Sequence, residues 1–198
     1  MHMNINDFIK DRFKQRKDTL NNLFDFYNTE LISRAIKMIY CSIFSDRKIM
    51  IFGNGGSAAD SQHMAAEFVN RFLINRKPLA AVALTTDSSV LTSISNDFGY
   101  SQIFSKQIEA IGQLGDVAFG LTTSGNSENV ISALYTAHKM NIKTIALTGE
   151  KDGKLHNDFC DIIIKVPSNH TPIIQEMHII IIHSICEYIE KELVTNHN

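Results

Sequence analysis

Two hydrophobic periods divide this chain. Over residues 4–45 the apolar positions recur at spacings of three and four, with Leu20, Leu23, Phe24, Tyr27, Leu31, Ala35 and Met38 on one face. That spacing predicts amphipathic helix. From residue 48 the period changes. Short apolar runs recur at Ile49–Phe52, Ala80–Leu84, Val117–Leu121, Thr144–Leu147 and Ile162–Val166. Helix-like segments lie between most of them, namely Ser57–Leu73, Phe104–Ile111 and Glu128–Met140. Strands that are apolar on both faces and alternate with helices imply a parallel sheet covered on both sides. The pattern predicts an α/β fold: a doubly wound five-stranded parallel sheet with a helical N-terminal extension. The extension covers about residues 4–45 and the α/β core about 46–198, within a single domain spanning 1–198. No internal repeat, low-complexity tract or linker suggests a second domain.

The last helix is expected to begin near Pro172, a residue suited to a first turn, with Thr171 as its cap, and to run to about Leu193. Its middle, Ile179 to Ile182, is apolar around the whole circumference. Such a helix is buried on every side, and in a small domain that calls for a neighbouring subunit as well as the sheet. Gln175, His178 and His183 sit in this apolar helix. Each needs a hydrogen bond, a ligand or a metal, because burying an unpartnered polar group costs roughly 1–3 kcal/mol. His178 reads as a core hydrogen-bonding residue, and His138 and His156 as surface residues.

Composition narrows the function classes. The 44% hydrophobic content is ordinary for a globular domain, and the net charge of −2 with dispersed basic residues leaves no nucleic-acid footprint. Cys41, Cys160 and Cys186 are widely spaced among apolar residues and read as reduced core thiols. No signal-peptide pattern or run of membrane length is present, so the expected location is the cytoplasm, with no membrane partner.

The candidate chemistry starts where the first apolar run ends. Gly53-Asn54-Gly55-Gly56-Ser57 is a glycine-rich turn that opens a helix. Such a turn lets backbone approach an anion, and the helix start supplies N–H donors and a positive dipole. It lacks the dinucleotide-binding glycine spacing and has no following P-loop lysine. Further along this helix, His63 and Glu67 share one face at i, i+4 spacing. A second polar turn, Thr122-Thr123-Ser124-Gly125-Asn126-Ser127-Glu128-Asn129, follows the run Val117–Leu121 and opens another helix. Alone, such a turn is a helix cap. Two of them at strand ends, the edge where open α/β sheets bind ligands, point to a phosphate site. Asn96-Asp97 before Phe98-Gly99 reads either as a helix C-terminal turn or as a pair of groups for sugar hydroxyls.

Together these pieces resemble the sugar isomerase (SIS) domain and, within it, the phosphoheptose isomerases. The resemblance rests on the stretch from Gly53 to Asp60 with Gln62, His63, Ala66, Glu67 and Arg71. It continues through Asn96-Asp97-Phe98-Gly99, Gly115-Asp116-Val117, the Thr123–Ser127 turn, Leu147-Thr148-Gly149, the Ile174–Ile179 segment and His183. It implies conversion of sedoheptulose 7-phosphate to D-glycero-D-manno-heptose 7-phosphate, the first step toward activated heptose for lipopolysaccharide, capsule or related surface glycans. It implies a homotetramer with sites between subunits and a Zn2+ site of His63, Glu67, Gln175 and His183. It implies phosphate contacts from Ser57, Thr122, Thr123, Ser124 and Ser127, and sugar contacts from Asn54, Asp97 and Gln175. Gly55, Gly56 and Asn96 complete the expected substrate-binding set. Two positions depart from the family pattern: Thr122 stands for the usual serine, and Ile173 for the usual arginine before Ile-Gln-Glu.

Isomerisation through an enediol needs a base at carbon and a group that exchanges protons at oxygen. Glu67 is the expected base and His183 the expected acid/base. An alternative is a non-catalytic SIS protein that binds the replication initiator DnaA, which Asn70-Arg71-Phe72 and Thr85-Thr86-Asp87 resemble, but those proteins lack the Glu67 and His183 pair. Another sugar-phosphate isomerase or sensor is the third reading. Helix geometry adds an expectation about assembly. In a continuous last helix, Gln175 and His183 are about 12 Å apart along the axis and about 80° around it, too far for one zinc with bonds of about 2 Å. Either the helix breaks near Gln175, or residues from different subunits complete the site; mixing Glu67→Gln and His183→Gln subunits would then restore activity if those two residues meet across the interface.

Overall fold

The computed structural model describes residues 4–24, 26–151 and 153–195, without the side chains of residues 26 and 27. The Tyr27 side chain of the N-terminal apolar face is therefore outside what is described. The N-terminal extension is two helices, α1 (Ile5–Leu23) and α2 (Phe26–Phe44). The Asn4 side chain caps α1 by accepting from the Asn6 and Asp7 amides. Then follow β1 (Ile49–Gly53), α3 (Gly56–Val69), β2 (Ala81–Ala83), α4 (Ser88–Phe98) and α5 (Ser105–Ile111). The chain ends with β3 (Val117–Leu121), α6 (Glu128–Lys139), β4 (Lys143–Thr148), β5 (Ile162–Lys165) and α7 (Thr171–Thr195).

All pairings are parallel, in the order β2-β1-β3-β4-β5. The strand side chains alternate between two cores. Ile49, Ile51, Phe119 and Ile145 face a layer containing α2, α3 and α7. Met50, Phe52, Ala118 and Ala146 face α5 and α6. Connections from β1 and β3 thus leave to opposite faces, and the strand order reverses between these neighbours. In open α/β sheets that switch point is where ligands sit, outside the carboxyl ends of the strands.

Four expectations need correction. Helix α4 was legible only as its C-terminal turn. Its Ser, Thr and Val residues have modest helix propensity, and the Asp87 side chain, accepting from the Val90 amide at 3.0 Å, supplies the start. Helix α3 stops at Val69 rather than Leu73, because other groups claim the next backbone polar atoms. Arg76 donates to the Glu67 and Phe68 carbonyls, and Glu190 accepts from the Phe72, Leu73 and Ile74 amides. Cys41 is exposed on α2, whereas Cys160 and Cys186 are buried, with thiols that burial pushes up to about 12. The fourth is the start of helix α7, which within this chain buries Ile181 and Ile182 and leaves Ile179 and Ile180 partly open. Thr171 is its first helical residue, and the helix is unbroken past Gln175.

Candidate active site

Gly53 and Leu121 are register partners, so the two polar turns start side by side at the switch point. After Gly53 the chain turns through Gly55, whose φ of 56° favours glycine, into the first turn of α3. Ser57 lies in that turn and is buried. Across from it, Thr122 is buried and its hydroxyl meets that of Ser127 at 3.0 Å. Ser127 stands at the N-cap of α6 without making a side-chain cap bond. Its hydroxyl faces its own loop instead. Ser124 is exposed and accepts from the Asn126 amide at 3.2 Å; Thr123 is half-buried. Hydroxyls and a helix start gathered in this way form an anion-binding edge.

Asn54 joins the two turns. It exchanges two hydrogen bonds of 2.8 Å with the buried Asn129 and accepts from the Tyr100 hydroxyl at 2.9 Å. A small cavity of about 110 Å³ opens beside Asn54, Gly55 and Tyr100. Sequence reasoning missed Tyr100, which no periodic or motif signal marks, and included Asn129 in the second polar turn without giving it a role. Asn96 and Asp97 bond to each other at 2.8 Å on the exposed end of α4. A larger cleft of about 670 Å³ lies at the amino ends of β1 and β2, between the ends of α2 and α7, away from these loops.

Farther down α3, three titratable side chains meet. His63 Nε2 lies 2.9 Å from His183 Nε2 and 3.3 Å from Glu67 Oε1. The Phe72 ring rests against His183, with centroids 5.4 Å apart. All four belong to one chain, on α3, its following loop and α7. Within this chain His63 thus meets both Glu67 and His183, because α3 and α7 pack against each other. Gln175 is elsewhere. A Cβ on Gly56 would lie 2.3 Å from its Nε2, which places the amide against the start of α3, two turns from His183. One turn before His63, burial pushes the Asp60 carboxyl up to about 6, partly opposed by His63, and its Oδ2 has no hydrogen-bond partner among the described residues. Sequence reasoning included Asp60 only within a motif. His178 is fully buried, contacts the Thr148 carbonyl at 3.3 Å, and burial lowers its pKa to about 4.

Two imidazole nitrogens and a carboxylate are a donor set that suits zinc. Among the described residues, no group of three or more His, Cys, Asp and Glu side chains is spaced to hold a metal ion, and the two imidazoles bond to each other. The donors fit the metal in kind.

A parallel sheet with hydroxyl turns on both sides of its switch point defines an open α/β domain with an anion-binding edge. The SIS domain family model matches residues 13–149, so the chain belongs to that family. Within it, the chain belongs with the phosphoheptose isomerases. It is 50% identical over 164 residues to the phosphoheptose isomerase of Aliarcobacter butzleri, covering 83% of this chain and 86% of the relative. It is 45% identical over 188 residues to that of Clostridium acetobutylicum, covering 94% and 95%. The solved phosphoheptose isomerase from Neisseria gonorrhoeae superposes with a TM-score of 0.87 at 40% identity, over 95% of this chain and all of the other.

Proposed function

We infer that this chain interconverts D-sedoheptulose 7-phosphate and D-glycero-D-manno-heptose 7-phosphate, as an aldose–ketose isomerase. The observation that supports this best is the meeting of His63, Glu67 and His183 on one face of the helix whose start forms a phosphate cradle. Ser57, Thr122, Thr123, Ser124 and Ser127 hold the phosphate with the α3 N-terminus. Asn54, Asn96, Asp97 and Gln175 are available to the sugar hydroxyls. Glu67 removes the proton from carbon to give an enediol and returns it to the adjacent carbon. His183 moves the matching proton between the two oxygens.

Zinc would be held by His63, Glu67 and His183, and Gln175, which lies two turns away within the chain, would join as the further oxygen donor only from a neighbouring subunit. When bound it supplies Lewis-acid polarisation of the sugar carbonyl and hydroxyl. Assembly as a homotetramer fits two features. Helix α1 exposes Ile5, Phe8, Ile9 and Phe13, an unusually apolar stripe for a lone surface helix. Gln175 is also too far along α7 to join His183 unaided. The product would feed activated heptose for lipopolysaccharide, capsule or a related surface glycan, a role that fits a cytoplasmic enzyme. Among the described residues, no helix is long and apolar enough to cross a membrane.

The test is incubation of the purified chain with sedoheptulose 7-phosphate and NMR detection of an aldoheptose 7-phosphate. Product is expected from the phosphate and almost none from free sedoheptulose. No aldoheptose phosphate, or equal turnover of the unphosphorylated sugar, overturns the reading.

A further inference from the structure

Behind the site lies a buried ion pair that the chemistry above does not use. The side chains of Arg76 and Glu190 are 6% and 1% exposed, with Nε and Oε1 3.2 Å apart. Arg76 Nη2 donates to the Glu67 carbonyl at 2.7 Å, and Nη1 to the Phe68 carbonyl at 2.8 Å and the Lys77 carbonyl at 3.1 Å. Glu190 Oε1 accepts from the Phe72 amide at 2.8 Å. Its Oε2 accepts from the Leu73 and Ile74 amides at 2.6 and 2.9 Å. Burial pushes the Glu190 carboxyl up, but the three amides and Arg76 outweigh it and hold it below its usual range.

These bonds end on the working residues. The Glu67 carbonyl belongs to the expected base. The Phe72 amide belongs to the residue whose ring rests on His183. Glu190 itself sits two turns after His183 on α7. One pair therefore ties the end of α3, the loop that backs His183, and the helix that carries His183.

We propose that Arg76 and Glu190 are positioning residues: they clamp the end of α3 to α7 and thereby set Glu67 and the Phe72-backed His183 in register. Fold stability alone needs no such aim. A helix end can be capped by water or a glycine turn, whereas a carboxylate base and an imidazole must be held to within a fraction of an ångström. A displacement of about 1 Å costs on the order of 100-fold in rate.

This inference rests on Glu67 and His183 as the working pair, and the experiment separates the two. Glu190→Gln keeps shape and loses charge. Arg76→Lys keeps charge and loses the planar fork. Phe72→Leu removes the ring without touching the pair. Leu134→Ala, in the core on the opposite face of the sheet, is the control for destabilisation alone. Each is assayed well below its own melting temperature. The clamp variants are expected to lose about 10- to 100-fold in kcat, with KM changed less than about 3-fold. Phe72→Leu is expected to lose about 5- to 10-fold, and Leu134→Ala to keep wild-type kcat. In 13C-histidine spectra at fixed pH, the His183 ring signal should move in the clamp variants and in Phe72→Leu, and stay in Leu134→Ala.

Wild-type kcat with an unmoved His183 ring signal in whichever clamp variant folds overturns the proposal; if neither folds, the same result in Phe72→Leu overturns it, because the clamp then has no route to His183. So does a rate loss in Leu134→Ala equal to that in Glu190→Gln. An inactive wild-type chain faults the isomerase reading instead, and the His183 signal still tests the clamp.

Discussion

At the scale of single residues, the sharpest expectation concerns Glu67 and His183. Each is replaced by Gln, which keeps a polar side chain of similar reach and removes the group that titrates. Turnover should drop by about 100-fold or more in either variant, the usual scale for a positioned acid or base. Circular dichroism should stay as in the wild type, since both side chains are partly exposed. Full activity in one of them would remove that residue from the mechanism. His178 makes a different prediction. Burial lowers its pKa from 6.5 to about 4, so the native state keeps it neutral while the unfolded chain protonates it first as pH falls. Stability contributed in this way is complete above pH 6.5 and is lost between 6.5 and about 4, by at most about 1.4 kcal/mol per pH unit. Urea midpoints across that window should fall more steeply for the wild type than for His178→Gln.

Elements set where these residues point, and two neighbouring glycines show how. At Gly53 an added Cβ would meet the Leu121 carbonyl at 2.9 Å and Ser57 Cβ at 2.7 Å, atoms of backbone and helix that cannot step aside. At Gly56 the obstacle is the end of the Gln175 side chain, which can move. Gly53→Ala should therefore lower the melting temperature by several degrees. Gly56→Ala should leave it nearly unchanged, because alanine suits a helix better than glycine. The second variant should instead raise KM several-fold by displacing Gln175. A thermal melt and a Michaelis curve on each variant decide this; unchanged KM in Gly56→Ala would separate Gln175 from the substrate. The elements themselves were unevenly legible. The apolar runs placed β3 at its observed bounds and β1, β4 and β5 to within a residue at either end, because buried parallel strands carry their signal in every position. The end of α3 was not legible. It is set by Arg76 and by Glu190, and the latter is more than a hundred residues distant in sequence.

For the whole molecule, the placement of His63, Glu67 and His183 on one chain changes what mixing should do. Assemblies of Glu67→Gln and His183→Gln subunits hold no chain with both groups intact. Subunit exchange between them should restore no turnover. Recovery toward a quarter of wild-type turnover would instead show that the working pair forms between chains. The exposed stripe on α1 bears on assembly. Phe13 is 69% exposed, and Phe13→Glu should lower the mass seen by light scattering without altering the circular dichroism spectrum. An unchanged mass would exclude this face from the contact.

The sequence by itself determined the α/β architecture, the two hydroxyl turns and the face shared by His63 and Glu67. Those features depend on neighbours within a few residues: a strand's apolar run, a glycine where φ turns positive, a spacing of one helical turn. It did not determine that His183 closes onto His63 within the same chain while Gln175 lies against Gly56. Nor did it determine that Tyr100 and Asn129 share Asn54, or that Glu190 ends the helix bearing Glu67. Those are meetings between distant segments, fixed by how α7 lies along α3 and by which face of the sheet each crossover takes. Local spacing carries no record of that packing, so only the folded chain shows it.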